Sequence, residues 1–293
     1  MTPNLLAPEI TIEDLSIEGP HGDIPVRTYL PSTATRGLVW VHGGAFAFGD
    51  IDQPESDWVA REMAARGVAV VTVDYRLAPV PEWASAALGA PVRDGVVFPV
   101  ASEEVTAAFT WASTLLPGVE PGDWSLGGAS AGANLSVGAA LRLRDEKGML
   151  PRTLLLAYGL FHAELPPLRA ELAAKYAALP AEYAVFTPEV VQLINLNYVG
   201  DPSQLSNAYA FAGGHTLEGL PPTFLLNSDA DSIRASGDQF GAELAAAGVD
   251  VLMVRETETL HGHLDNPDLP AAVRSIQRMA TWLTSDLIAE HGR

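Results

Sequence analysis

An α/β fold, with a mostly parallel central sheet covered by helices on both faces, is predicted by three features of this 293-residue sequence. Short apolar runs recur from Gly37 onward, each later one lying next to a segment of helical periodicity. Two strand-like segments precede this alternation, and the chain is long enough, at 48% hydrophobic residues, to fill a large core. Leading strands followed by strand–helix alternation are the pattern of a parallel sheet flanked by helices.

The leading strands span Ile10 to Ile17 and Ile24 to Leu30, with Gly19-Pro20-His21-Gly22 supplying the turn between them. Gly37 to Val41, Val68 to Val73, Trp124 to Gly127, Thr153 to Ala157, Thr223 to Leu226 and Val249 to Val254 read as strands buried on both faces. Val105, Ala108, Phe109, Ala112, Leu115 and Leu116 recur at helical spacing, with Ser102 as the N-cap and Glu103 and Glu104 in the first turn. A second helical face, Val273, Ile276, Ala280, Leu283 and Leu287, is entered through Pro270. Two stretches interrupt the alternation. Residues 80–97 are rich in Pro, Ala, Gly and Val, and residues 162–207 contain two helices, near Leu168 to Leu179 and Pro188 to Tyr198. Excursions of this length at strand ends build lids or substrate walls. The expectation is a single domain, with a helical cap insertion over about 162–207 and a further insertion over about 80–97.

The formal charge of −19 argues against nucleic acid or an anionic membrane as partner. No apolar run approaches the ~18 residues of a membrane span, and Met1 to Glu9 lack the basic flank and apolar stretch of a secretory signal, which favours the cytoplasm. With no cysteine, thiol catalysis and thiolate metal sites are excluded. No H-E-x-x-H, phosphate-loop or dinucleotide fingerprint is present, so neither metal nor cofactor is expected.

The most informative segment is Trp124-Ser125-Leu126-Gly127-Gly128-Ala129-Ser130-Ala131-Gly132. It holds G-x-S-x-G between a predicted strand and a predicted helix, where only very small neighbours let the chain turn tightly enough to expose a nucleophile. Ser130 is therefore the candidate nucleophile, at a helix N-terminus that favours developing negative charge. His42-Gly43-Gly44-Ala45 ends an earlier strand and offers backbone N–H donors without side-chain obstruction. The oxyanion donors are assigned to Gly43 and Gly44, joined by the amide of Ala131, while His42 braces the loop.

With these motifs on the page, the sequence resembles the hormone-sensitive lipase family of α/β-hydrolases, known for an H-G-G-G loop. Asp74-Tyr75-Arg76-Leu77-Ala78-Pro79 matches its D-Y-R-L-A-P segment, Phe98-Pro99 its F-P-A-A segment and Gly219-Leu220-Pro221-Pro222 its G-L-P-P segment. The resemblance runs from about Val26 to the C-terminus. It departs at Ala45, which replaces the third glycine, at Ala129 and Ala133, where Asp and Gly are frequent, and at residues 80–97. The segment before the first strand is also short for the family. These departures imply a more open or differently walled pocket, or one completed by a second copy in a homo-oligomer.

In this fold the acid and base follow the serine in that order. Both Asp229 and Asp231 lie just past the strand Thr223 to Leu226, and the family pattern D-x-L-R, matched by Asp231-Ser232-Ile233-Arg234, selects Asp231. His261, in Leu260-His261-Gly262-His263, matches the family's H-G-F segment and is preferred to His263 as the base. His21, His162, His215 and His291 are weaker candidates, although His162 is placed to line the pocket. The resemblance implies a carboxylesterase acting on a small-molecule ester of short or medium acyl chain. The alternatives are an amidase or aryl formamidase with the same triad, a lyase reusing its base, and a non-catalytic binding protein on the same scaffold.

Overall fold

Eight strands form one sheet in the order β1-β2-β4-β3-β5-β6-β7-β8, in a computed structural model that describes residues 8–115 and 119–285. The first three strands are β1 (Ile10–Ile17), β2 (Ile24–Pro31) and β3 (Arg36–Val41). They lead into helix α1 (Pro54–Ala64), strand β4 (Val68–Val73) and helices α2 (Glu82–Leu88) and α3 (Val100–Leu115). Strand β5 (Trp124–Ala129), helix α4 (Ala131–Asp145) and strand β6 (Leu154–Ala157) follow. Helices α5 (Ala170–Ala177) and α6 (Pro188–Val199) then separate β6 from strand β7 (Thr223–Ser228). Helix α7 (Arg234–Ala246), strand β8 (Val251–Glu256) and helix α8 (Pro270–Thr284) complete the fold. Strand β2 runs antiparallel to both β1 and β4, and every pairing from β4 to β8 is parallel.

Alternation within the central strands explains why they read as unbroken apolar runs. Val39 and Val41 of β3 pack into one cluster with Phe109 of α3, Leu135 of α4 and Phe240 of α7. Leu38 and Trp40 point the opposite way, against Val59 and Met63 of α1 and Ile276 and Met279 of α8. Both faces are covered, so both sets of side chains must be apolar. Removing such a side chain from water stabilises the fold by about 1.5–3 kcal/mol. Because β3 to β8 are parallel, their C-terminal ends share one edge of the sheet, and the loops leaving that edge come together there.

Two expectations need correction. Ser102 is not an N-cap: α3 begins at Val100, the Glu103 N–H donates to the Pro99 carbonyl at 2.9 Å, and Ser102 is buried within the first turn. Proline lacks the N–H that a helix start leaves unpaired, so the chain enters the helix through Phe98-Pro99. Strand β8 is not buried on both faces: it is the last strand of the sheet, with Leu252 at 47% and Met253 at 46% exposure. Residues 80–97, expected as an insertion, contain α2 and a bridge from Val80 to Arg93. Leu116, Leu287 and His291 lie outside the described residues.

Candidate active site

Strand β5 sits between β3 and β6 at the centre of the sheet, and Ser130 is the first residue beyond it. Its backbone lies at φ 51° and ψ −115°, a left-handed conformation that strains an L-residue and turns strand sharply into α4. The Ser130 N–H is held by the Ala157 carbonyl at 2.9 Å. The glycines around it are required by contact: a Cβ on Gly132 would stand 2.1 Å from the Val41 carbonyl oxygen and 2.4 Å from that of His42. Both obstacles are backbone of the neighbouring strand end, so neither can swing aside. Gly132→Ala is therefore expected to cost at least about 1–3 kcal/mol and to lower activity by displacing Ser130. Urea unfolding of the variant beside the parent protein measures the first effect.

Loops from β7 and β8 bring the acid and the base to the same place. His261 Nε2 lies 3.0 Å from Ser130 Oγ, and His261 Nδ1 lies 2.7 Å from Asp231 Oδ2. Asp231 is buried, and its other oxygen accepts the Ile233 N–H at 3.0 Å, so the carboxylate is fixed before it meets the imidazole. With Nδ1–H directed at Asp231, Nε2 is left as the acceptor for the Ser130 hydroxyl proton. Burial works to depress the His261 pKa. The charge and hydrogen bond of Asp231, with smaller contributions from Glu55 and Asp265, outweigh it and hold the pKa above the ordinary histidine value. Tyr158 and Phe186 flank the imidazole edge-on, with ring centroids 5.1 Å and 4.6 Å away. Phe186 belongs to the segment between α5 and α6, and its carbonyl accepts the hydroxyl of Ser232, next to Asp231, at 2.5 Å. Neither aromatic was singled out in the sequence, because both come from segments without a motif.

The rivals are engaged elsewhere. Asp229 pairs with Lys175 at 2.6 Å and Arg234 at 3.5 Å, and accepts the Glu258 N–H at 3.3 Å. Arg234, itself buried, also bonds the Asp229 carbonyl at 2.5 Å and pairs with Glu171, tying α5 to the loop that carries Asp231. His263 lies between Ser228 and Ser275, 2.9 Å from each hydroxyl, and burial pushes its pKa down to about 4. His162 bonds Ser236 and Glu243 rather than any group of the triad. His21 meets Glu103, and His215 is exposed. Among the described residues, no group of three His, Asp or Glu side chains is gathered that could hold a metal ion.

The oxyanion loop departs from expectation at one residue. The Gly43 N–H donates to Glu55 Oε1 at 2.6 Å. Gly43, one of the expected oxyanion donors, thus has its N–H engaged by a side chain. Among the described residues, the N–H groups of Gly44, Ala45 and Ala131 donate to no protein acceptor. Gly44 at φ 113° and Ala45 at φ 51° curl the loop through successive left-handed positions, which turns the amide direction within two residues. His42 is buried and stacked on Tyr75 with centroids 4.3 Å apart, and its Nδ1 lies 2.7 Å from the Gly43 carbonyl oxygen. Burial lowers its pKa to about 4, so it braces the loop as a neutral ring.

A serine on a strained strand-to-helix turn, a histidine aligned on it by a buried aspartate, and backbone donors at the next strand end define a serine hydrolase. The chain belongs to the alpha/beta hydrolase fold family, whose profile matches residues 38–90 and 95–265. Only residues 91–94 of the 80–97 stretch fall outside that match. Carboxylesterase NlhH of Mycobacterium tuberculosis is 30% identical over 276 residues, spanning 90% of this chain and 79% of that protein. Esterase LipI of the same organism is 29% identical over 283 residues, spanning 92% of this chain and 81% of that one. A solved esterase of Pyrobaculum calidifontis superposes with a TM-score of 0.81 at 26% identity, over 96% of this chain and 88% of that chain.

Proposed function

We propose that this protein is a carboxylesterase that cleaves small or medium acyl esters through an acyl-enzyme on Ser130. The hydrogen-bonded line from Asp231 through His261 to Ser130 carries the reading. His261 takes the hydroxyl proton as Ser130 Oγ attacks the ester carbonyl, and Asp231 stabilises the imidazolium that forms. The N–H groups of Gly44, Ala45 and Ala131 receive the oxyanion. His261 then protonates the departing alcohol, and a water activated by the same imidazole releases the acid. Segment 162–207 acts as the cap, with Phe186 as the wall above His261. Leu160, Val191 and Ile233, with Leu165 and Phe186 packed on them, make an apolar cluster beside the triad loop, which supports an apolar rather than a charged ester.

Two measurements test this reading. A fluorophosphonate is expected to label the peptide containing Ser130, as read by mass spectrometry of the digested protein. The parent protein should also turn over p-nitrophenyl esters far faster than matched anilides. Label confined to another residue would remove Ser130 as nucleophile, and faster anilide cleavage would convert the assignment to an amidase.

A further inference from the structure

Glu55 is a buried carboxylate, 3% exposed, that the triad does not use. It lies in the first turn of α1, with its carboxylate against Gly43. Its Oε1 accepts the Gly43 N–H at 2.6 Å and the Gln53 side-chain amide at 3.1 Å. Its Oε2 accepts the Tyr158 hydroxyl at 2.7 Å. Its backbone is held as well: the Trp40 indole N–H donates to its carbonyl at 2.8 Å, and its own N–H donates to Asp265 Oδ1 at 3.1 Å. One residue, through its side chain and its backbone, therefore ties the loop after β3, the residue after β6 and the turn after His261 to one another.

We infer that Glu55 is the positioning residue of the oxyanion site, holding the Gly43 amide inward so that the next amides of the loop face the acyl oxygen. The inference rests on the ester-hydrolase reading above. Gly43 is closely packed: a Cβ there would stand 2.3 Å from Glu55 Oε1 and 3.0 Å from Ser130 Cβ, so carboxylate and nucleophile crowd the same side of this residue. The 2.6 Å bond from the Gly43 N–H to Glu55 Oε1 ties the loop to α1, so the length of the Glu55 side chain sets where Gly43, and the Gly44 and Ala45 amides after it, are held. Oxyanion donors act only when aimed at the position the oxygen reaches in the transition state, so a small retreat of this loop is felt in turnover more than in substrate binding.

The ionisable groups facing Glu55 are Asp265, Tyr158, His261 and Tyr75. Burial, followed by the charge of Asp265, pushes the Glu55 pKa up to about 7, against the hydrogen bonds from Tyr158 and Gly43. Burial and the nearby Glu55 charge keep the Tyr158 phenol protonated, so it remains a donor. Glu55 in turn adds to the charges that raise the His261 pKa.

Side-chain length and charge are separated by comparing Glu55→Gln with Glu55→Asp in the full-length protein, beside Ser130→Ala. Glutamine keeps the reach and an acceptor oxygen for Gly43, whereas aspartate keeps the charge and falls one methylene short. Glu55→Asp is expected to lower kcat by about 10²-fold, the scale of losing one oxyanion donor, with KM within about threefold. It should weaken a trifluoromethyl ketone, which binds as a tetrahedral oxyanion, by a similar factor. Glu55→Gln is expected to stay within about tenfold of the parent in kcat, with the acid limb of kcat/KM moved to lower pH because a negative charge near His261 has gone. Glu55→Asp matching the parent in kcat and ketone affinity, while Ser130→Ala is inactive, overturns the positioning role and leaves the hydrolase reading intact. The reverse order, with Glu55→Asp active and a folded Glu55→Gln impaired, also overturns it, because charge and not reach would then matter.

Discussion

Replacing Ser130 with alanine is expected to lower kcat for a p-nitrophenyl ester by on the order of 10⁶-fold, with the fold and ester affinity retained. Among the described residues, the only side-chain hydrogen bond of Ser130 is to His261, so the substitution strands no other partner there. Its backbone bond to Ala157 persists, and alanine meets the same strain as serine at φ 51°. Thermal unfolding should therefore change little. What disappears is the oxygen that becomes acylated, and with it any pre-steady-state burst of p-nitrophenol. The backbone donors remain, which accounts for a residual rate above that of water. A variant within tenfold of the parent would place the nucleophile elsewhere.

Asp231→Asn should have the second largest effect, about 10⁴-fold in kcat by the scale known for an asparagine at the acid position of a serine triad. The amide can present N–H to His261 Nδ1, which stabilises the tautomer with its proton on Nε2, and that nitrogen can no longer accept from Ser130. The pH profile gives an independent reading. His261 must be neutral to act as base, so kcat/KM falls as pH drops through its pKa. In the parent protein the acid limb should lie above the ordinary histidine value, because Asp231 outweighs the depressing effect of burial. Without the Asp231 charge burial acts with less opposition, and the limb should move to lower pH. An unmoved limb would mean that another group orients the base. Asp229→Asn makes the contrast: Asp229 faces Lys175 and Arg234, so its loss should loosen the tie to α5 and leave the limb in place.

The parts of the site legible in the sequence are those whose geometry is made locally. The turn at Ser130 needs small residues at Gly128 and Gly132, and the Gly132 requirement is met as contact with the neighbouring strand end. Asp231 and His261 could be chosen because each lies in a short pattern just beyond an apolar strand. Phe186 could not, since the loop that brings it to 4.6 Å from His261 has no pattern of its own. Ser102 misled because a serine before a helical face resembles a cap wherever the helix actually begins.

The sequence by itself determined the class of fold, the strand–helix alternation and the short motifs that hold Ser130, Asp231 and His261, because periodicity and turn chemistry are properties of neighbours along the chain. Only the tertiary structure decided which strand is the edge and which amide of the oxyanion loop is engaged by a side chain. Leu252 and Met253 are as apolar as residues of a central strand, and their exposure follows from β8 pairing, among the described residues, with β7 alone. The direction of the Gly43 N–H depends on Glu55, twelve residues away on a separate helix. A backbone amide points toward whatever acceptor the packed fold sets within its reach, and no spacing along the chain encodes that distance.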